Sequence, residues 1–156
     1  MFNIVLYQPE IPPNTGNIIR LCANTGCRLY LIEPLGFELD DRRLKRAGLD
    51  YHEFANIDVL SSLDELSSLQ PPNTNNSTYA LSTRGSLNYS DATYLENDTL
   101  IFGPETRGLP TSLLTAMEPE KVLRIPMLGH SRSLNLSNAV AIVTYEALRQ
   151  TGFTDL

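Results

Sequence analysis

No apolar run in this 156-residue chain approaches the length a membrane-spanning helix needs, so no membrane partner is expected. The opening Met1-Phe2-Asn3-Ile4-Val5-Leu6-Tyr7 carries no basic leader and no cleavage site and reads as a first strand; the expected address is the cytoplasm. Cysteine is scarce. Cys22 and Cys27 lack metal-ligand spacing, and Cys22 falls within an apolar helical pattern, so both are expected in the core and no metal is expected. Basic residues are outnumbered, 12 Lys and Arg against 18 Asp and Glu, for a net charge of −6. That argues against unspecific nucleic-acid binding through the overall field but leaves room for a local basic site. The common catalytic signatures are missing as well: no Gly-x-Gly-x-x-Gly follows the first strand, no Gly-Lys-Ser/Thr phosphate loop is present, and no serine sits in a nucleophile elbow. These absences disfavour a conventional dinucleotide enzyme or hydrolase. Without repeats or linkers, residues 1–156 are expected to make one domain.

What is present reads as alternating strands and helices. Residues 2 to 7 form a strand, and Gln8 to Pro13 a stiff connection in which each proline fixes its own φ. Asn14 is expected to cap a helix through Ile18, Ile19, Cys22 and Ala23 that Gly26 ends. Arg28 to Ile32 is a second strand, and strand, helix and strand in about thirty residues imply a parallel βαβ unit. Asp40 to Ala47 reads as a helix, Tyr51 to Ala55 as a short strand, and Asp58 to Leu69 as a helix through Leu60, Leu63 and Leu66. Strands at Tyr79 to Ser82, Thr99 to Phe102 and Val122 to Ile125, with a helix from Pro110 through Leu113, Leu114 and Met117, complete a compact α/β domain. Polar groups collect after the strand ends, at Asn14, Leu81 to Gly85, Gly103 to Gly108 and Ile125 to Asn135. In open parallel sheets the ligand crevice lies there, so these four loops form one candidate site.

The stretch from Arg124 to Leu148 is the most informative. Pro126 stops a strand end at Ile125, and a polar loop through Gly129, Ser131, Ser133 and Asn135 follows. Ser133 or Asn135 is expected to cap the final helix, which is apolar almost all round in its first turns through Leu136, Ala139, Val140, Ala141, Ile142 and Val143. Such a helix needs burial on more than one face, by its own sheet and by a second molecule. Polar groups at its N-terminus suit an anion or polar cofactor. In Gly103 to Gly108 the two glycines can let backbone approach a ligand closely with Glu105 and Arg107 flanking it; read alone, the segment is more commonly a Gly-Pro turn with a surface ion pair.

Three motifs resemble those of SPOUT-superfamily RNA 2′-O-ribose methyltransferases. They are Asn14-Thr15-Gly16-Asn17-Ile18-Ile19-Arg20; Phe102 to Gly108; and Ile125-Pro126-Met127 followed by Ser131 to Asn138. The similarity covers nearly the whole chain except roughly Ile57 to Ser77, and is strongest to the small members that methylate the wobble nucleotide of tRNA. The resemblance implies an α/β/α sandwich on a parallel sheet with a C-terminal deep trefoil knot, an obligate homodimer, and S-adenosylmethionine bound in the knot loops. By matching positions it implies cofactor contacts at Leu81, Gly103, Ile125 and Ser133. Catalytic positions carry to Asn14, Arg20, Glu105, Ser133 and Asn135, with Arg132 and Tyr145 matched to positions of the small-enzyme subgroup.

Two roles stand for Arg20. The wider family is described with this arginine as the base, whereas a guanidinium stays protonated and offers only donors, which suits gripping a phosphate and orienting the 2′-hydroxyl. On charge pattern alone Arg42, Arg43, Lys45 and Arg46 are a solvated helix face offset by Asp40 and Asp41; for an RNA enzyme without an added binding domain they become candidate phosphate contacts. His52 is read as structural or RNA-facing, and His130 carries no assignment. The RNA partner implied is the tRNA anticodon stem-loop, with cytidine or a modified uridine, carboxymethylaminomethyluridine, at position 34. A related 2′-O-methyltransferase on another RNA site, or a dimeric RNA-binding module without catalysis, are the alternatives.

Overall fold

Side chains from Ile4 to Tyr7 alternate between two apolar clusters, and that alternation sets the layering. In the computed structural model, which describes residues 1–39, 57–69, 75–154 and 156, this segment is strand β1 (Asn3–Tyr7). Ile4 and Leu6 join one cluster, Val5 the other. The chain continues through α1 (Pro12–Thr25), β2 (Arg28–Ile32), β3 (Ile57–Leu60), α2 (Leu63–Leu69), β4 (Thr78–Leu81), β5 (Leu87–Asn88), β6 (Thr99–Phe102), α3 (Thr111–Ala116), β7 (Val122–Arg124) and α4 (Leu136–Gln150). Among the described residues these strands form one sheet in the order β3-β2-β1-β6-β4-β7-β5, and every neighbouring pair is parallel.

A parallel sheet has to be covered on both faces. On one face α1 and α4 bring Ile18, Ile19, Cys22, Val140, Val143 and Ala147 against Ile4, Leu6, Leu31, Leu100, Phe102 and Leu123. On the other, α2 and α3 bring Leu66, Leu113 and Leu114 against Val5, Tyr30, Ile32, Ala80 and Ile101. The expected α/β/α sandwich is what forms, and both cysteines are free and buried. No helix among the described residues is long and apolar enough to cross a membrane.

Two expectations need correction. Asn14 does not cap α1: the helix starts at Pro12, with Ile11 at the cap position and prolines in the first two helical positions. Proline suits that place because the N–H it lacks would have had no helical partner. The segment from Asp58 is not helical at its start. Ile57–Leu60 pairs with β2 as an edge strand, and helix α2 begins only at Leu63. A local capping arrangement marks the helix start: the Glu65 amide donates to Ser62 Oγ at 3.3 Å, while the Ser61 amide donates back to Glu65 Oε2 at 2.7 Å. The helix read over Asp40 to Ala47, the strand over Tyr51 to Ala55, His52 and the basic cluster at 42–46 lie outside the described residues.

The register brings the strand ends to one edge. Leu6 and Leu81 both sit opposite Phe102, and Leu81 sits opposite Leu123. The chain steps outward from β1 through β2 and β3, then resumes beyond β6, so the sheet order reverses between β1 and β6. A crevice at the carboxyl ends of the strands follows from that reversal.

Helix α4 is also tied to the segment before β6. Glu146 accepts from Arg149 Nε at 2.8 Å and Gln150 Nε2 at 2.9 Å, and Gln150 in turn donates to the Ala92 carbonyl at 3.0 Å and accepts from the Tyr94 amide at 3.1 Å. The Arg149 and Gln150 donors pull the Glu146 carboxyl down to about 2. A carboxyl lowered on folding stabilises the fold at pH above the ordinary carboxylate range and loses that contribution as pH falls toward 2. Denaturant melts between pH 6 and pH 3 are therefore expected to show a smaller loss of stability in Glu146→Gln than in the unaltered chain. An identical pH slope in both would remove Glu146 from the acid response.

Candidate active site

Helix α1 begins without help from its own sequence. Ile11 offers no capping oxygen, the prolines offer no amide, and the first turn holds no acidic residue. Glu105, in the loop after β6, supplies what is missing: its Oε2 accepts the Glu10 amide at 2.9 Å, and its Oε1 accepts the Ile11 amide at 3.1 Å and Asn14 Nδ2 at 3.1 Å. A carboxylate at this end also meets the positive pole of the helix. The Asn14 amide spans the gap to the last motif, because its Oδ1 accepts Asn135 Nδ2 at 2.9 Å. Asn135 is the cap of α4, its Oδ1 accepting the amides of Ser137 at 3.0 Å and Asn138 at 3.4 Å. Of the two capping candidates Asn135 therefore takes the role. Three segments far apart in the chain are joined by one run of side-chain bonds, Glu105 to Asn14 to Asn135.

This run edges a cleft of about 570 Å³ at the carboxyl ends of β4, β6 and β7. Leu81, Gly103, Glu105, Ile125, Arg132, Ser133, Asn135 and Asn14 all line it. Arg20 and Tyr145 do not: Arg20 stands exposed on α1 and Tyr145 exposed on α4. His130 is exposed in the loop before α4. Among the described residues no group of His, Cys, Asp or Glu is arranged to hold a metal ion.

The floor of the cleft depends on close backbone approach. A Cβ on Gly103 would lie 2.4 Å from the Leu109 nitrogen and 2.5 Å from the Gly108 carbonyl carbon, so the loop can fold back on itself only if residue 103 has no side chain. Gly108 turns the loop at φ 68°. Nearby, a Cβ on Gly85 would meet the Leu123 carbonyl carbon at 2.3 Å, which shows how tightly the loop after β4 lies on β7. In size the cleft falls within the range of small-molecule sites. Its walls combine apolar side chains of Leu81, Leu109 and Ile125 with the polar groups of Glu105, Ser133 and Asn135, a donor and acceptor set that fits a nucleoside-bearing cofactor such as S-adenosylmethionine.

The sequence reading missed Glu10, Gln8 and Thr106. Glu10 Oε2 accepts both the Thr106 amide at 3.1 Å and the Thr106 hydroxyl at 2.7 Å, and Glu10 Oε1 pairs with Arg107 at 2.6 Å. Arg107 therefore does make an ion pair, with Glu10 rather than Glu105. The Thr106 hydroxyl, ahead of its amide and Arg107, holds the Glu10 carboxyl below its ordinary value against the opposing effect of burial. No local pattern joins residues almost a hundred positions apart.

The sequence profile described as the SpoU rRNA Methylase family matches residues 1–145. A Yersinia pestis protein named tRNA (cytidine(34)-2′-O)-methyltransferase is 58% identical over 159 residues, covering 98% of this chain and 96% of that protein. A solved structure described as "Structural insights into the 2-OH methylation of C/U34 on tRNA" superposes with a TM-score of 0.89 at 44% identity, covering 97% of both chains. An AdoMet-bound rRNA methyltransferase from Sinorhizobium meliloti superposes with a TM-score of 0.79 at 28% identity, covering 95% of this chain but 56% of that one.

Proposed function

The chain belongs to the SpoU rRNA methylase family, and from that premise we propose that it methylates the ribose 2′-hydroxyl of the wobble nucleotide, position 34, in tRNA. The observation that carries this reading is the near-full-length identity to enzymes of that name, 58% over 98% of the chain, together with motif residues joined across one cleft. Cytidine or a uridine at that position is the substrate class.

Leu81, Gly103, Ile125 and Ser133 are the residues proposed to hold S-adenosylmethionine. When bound, that cofactor supplies a methyl group on a sulfonium, already electrophilic and in need of no further activation. The work left to the protein is orientation and removal of a proton. The part left to this chain would be to hold the ribose 2′-oxygen in line with that methyl group and to let the hydroxyl proton pass to water in the open cleft. Asn14, Glu105 and Asn135 fix the rim of the cleft relative to α1 and α4. Arg132, exposed and lining the cleft, is the residue proposed to meet the negatively charged substrate backbone. Arg20 as a donor-only group orients the 2′-hydroxyl through the adjoining phosphate.

Arg20 and Tyr145 stand outside the cleft of a single chain, on two helices that pack together. A second copy docked against α1 and α4 would bring them to it, and the exposed Ile142 and Tyr145 on α4 are apolar enough to favour that contact. The assembly proposed is accordingly a homodimer, with the C-terminal loops threaded as a trefoil knot. Arg42, Arg43, Lys45 and Arg46 remain the proposed phosphate contacts for the anticodon stem-loop.

The test is transfer of labelled methyl from S-adenosylmethionine into unmodified and fully modified tRNA, with the product mapped by ribose methylation. Label at the wobble ribose is expected. Label at another position, or in ribosomal RNA only, would discard the substrate assignment, and no transfer into any RNA would overturn the reading. In the same assay Arg20→Lys is expected to keep cofactor binding and lose about 10²-fold in turnover, because a lysine cannot make the bidentate contact. Full activity in that variant would take Arg20 out of the mechanism.

A further inference from the structure

The connection between β1 and α1 is held by more than its prolines. Gln8 adopts φ 50°, a conformation side chains rarely occupy and one that persists only where surroundings over-determine it. Its amide is engaged at both ends: Nε2 donates to the Glu33 carbonyl at 3.3 Å, and Oε1 accepts Arg107 Nη2 at 2.7 Å. Two residues on, Glu10 receives the Thr106 amide, the Thr106 hydroxyl and Arg107 Nη1. Meanwhile Glu105 receives the amides of Glu10 and Ile11. The two loops thus exchange carboxylates, each charge satisfying the backbone of the other.

We infer that Glu10 is a positioning residue for the methyl-transfer site: with Gln8 and Arg107 it latches the loop after β6 in the shape that binds cofactor. The inference rests on the proposed function for the identity of that cofactor but not for the latch itself. Thr106 and Arg107 line the cleft, and Glu10 does not, so Glu10 acts through them. Ordinary carboxylates on a surface contribute little. This one is different because three donors from one short loop converge on it, and one of them is a backbone amide that fixes the loop's own path. Glutamine cannot replace it. Whichever way its amide is turned, the nitrogen faces either the Thr106 N–H or the Arg107 guanidinium, donor against donor.

The experiment compares the full chain with Glu10→Gln, Glu10→Asp and Arg107→Met by hydrogen exchange, without cofactor, and then by titration with S-adenosylhomocysteine. Glu10→Gln and Arg107→Met are expected to speed exchange across residues 103–109 and to weaken cofactor binding about tenfold, the loss of one charge-assisted contact. At saturating cofactor the turnover number should stay within about twofold, so that KM for the cofactor carries the effect; Glu10→Asp should restore part of the affinity. Unchanged exchange in 103–109 with unchanged affinity would overturn the latch, as would a uniform rise in exchange across the whole chain, which marks a purely structural role. If the unaltered chain neither binds the probe nor transfers methyl, the proposed function fails instead, and the exchange comparison still decides the latch.

Discussion

Glu105→Ala is expected to lower methyl transfer about a hundredfold and to destabilise the chain by about 2 kcal/mol. The reasoning starts at the N-terminus of α1, where a run of Ile11, Pro12 and Pro13 provides neither a capping oxygen nor a negative charge. Removing the carboxylate leaves the Glu10 and Ile11 amides and Asn14 Nδ2 without their acceptor. Water reaches part of this site, so the cost stays well below the full desolvation penalty of three donors. The kinetic effect is larger than the stability effect because Asn14 is released as well. Without Glu105 the Asn14 amide is free to turn, and the bond from Asn135 that aligns α4 with α1 is no longer held in one orientation. Displacements near 1 Å suffice for such a loss of rate. Denaturant melts and single-turnover methyl transfer on the purified variant are the measurements. A normal rate in a chain destabilised by the stated amount would confine Glu105 to capping and separate it from the site.

Gly103→Ala is the second substitution with a large expected effect, and here the target is the cleft floor. A methyl group at residue 103 would lie 2.4 Å from the Leu109 nitrogen and 2.9 Å from the Gly108 Cα, and both neighbours are backbone that cannot rotate away. Strand β6 is buried along its whole length and anchors residue 102, so the adjustment falls on the loop that follows. The expected cost is about 1–3 kcal/mol of overpacking. Binding of S-adenosylhomocysteine should weaken by about tenfold or more in calorimetric titration, since the displaced segment lines the cleft. Gly129→Ala is the control: nothing lies within 4 Å of a Cβ there and its φ is not positive, so stability should stay within about 0.5 kcal/mol of the starting value. Equal cofactor affinity in Gly103→Ala and the unaltered chain would show that the loop relaxes without consequence for the site.

Much of the fold was legible residue by residue. Leu100–Phe102 is a continuous apolar run, and Thr99–Phe102 forms a strand buried at all four positions, as a central parallel strand must be. Gly26 ends α1 in the left-handed conformation that its lack of a Cβ permits. The error at Asp58 to Leu69 is equally instructive. Leu60, Leu63 and Leu66 have helical spacing, yet Leu60 belongs to an edge strand because Ile57–Leu60 pairs along β2. Helical spacing and strand alternation overlap over so short a segment, and hydrogen bonding to a neighbour decided between them. Asn14 went wrong for a different reason. It is a residue type that caps helices, but the sequence alone does not reveal a carboxylate ninety-one positions away that already performs the task and frees the amide to bridge to Asn135.

By itself, then, the sequence determined the α/β class with its parallel sheet, the gathering of polar loops at the strand ends, the family resemblance and most of the residues that line the cleft. These are properties of composition, period and motif, each written within a few consecutive residues. Tertiary structure alone decided how the motifs meet. It set the exchange of carboxylates between Glu10 and Glu105, the bridge through Asn14, the close seating of Gly103 on Gly108 and Leu109, and the placement of Arg20 and Tyr145 outside the single-chain cleft. The physical reason is that hydrogen-bond partners and steric contacts depend on distances in space, and the parallel sheet brings together loops that the chain separates by about a hundred residues.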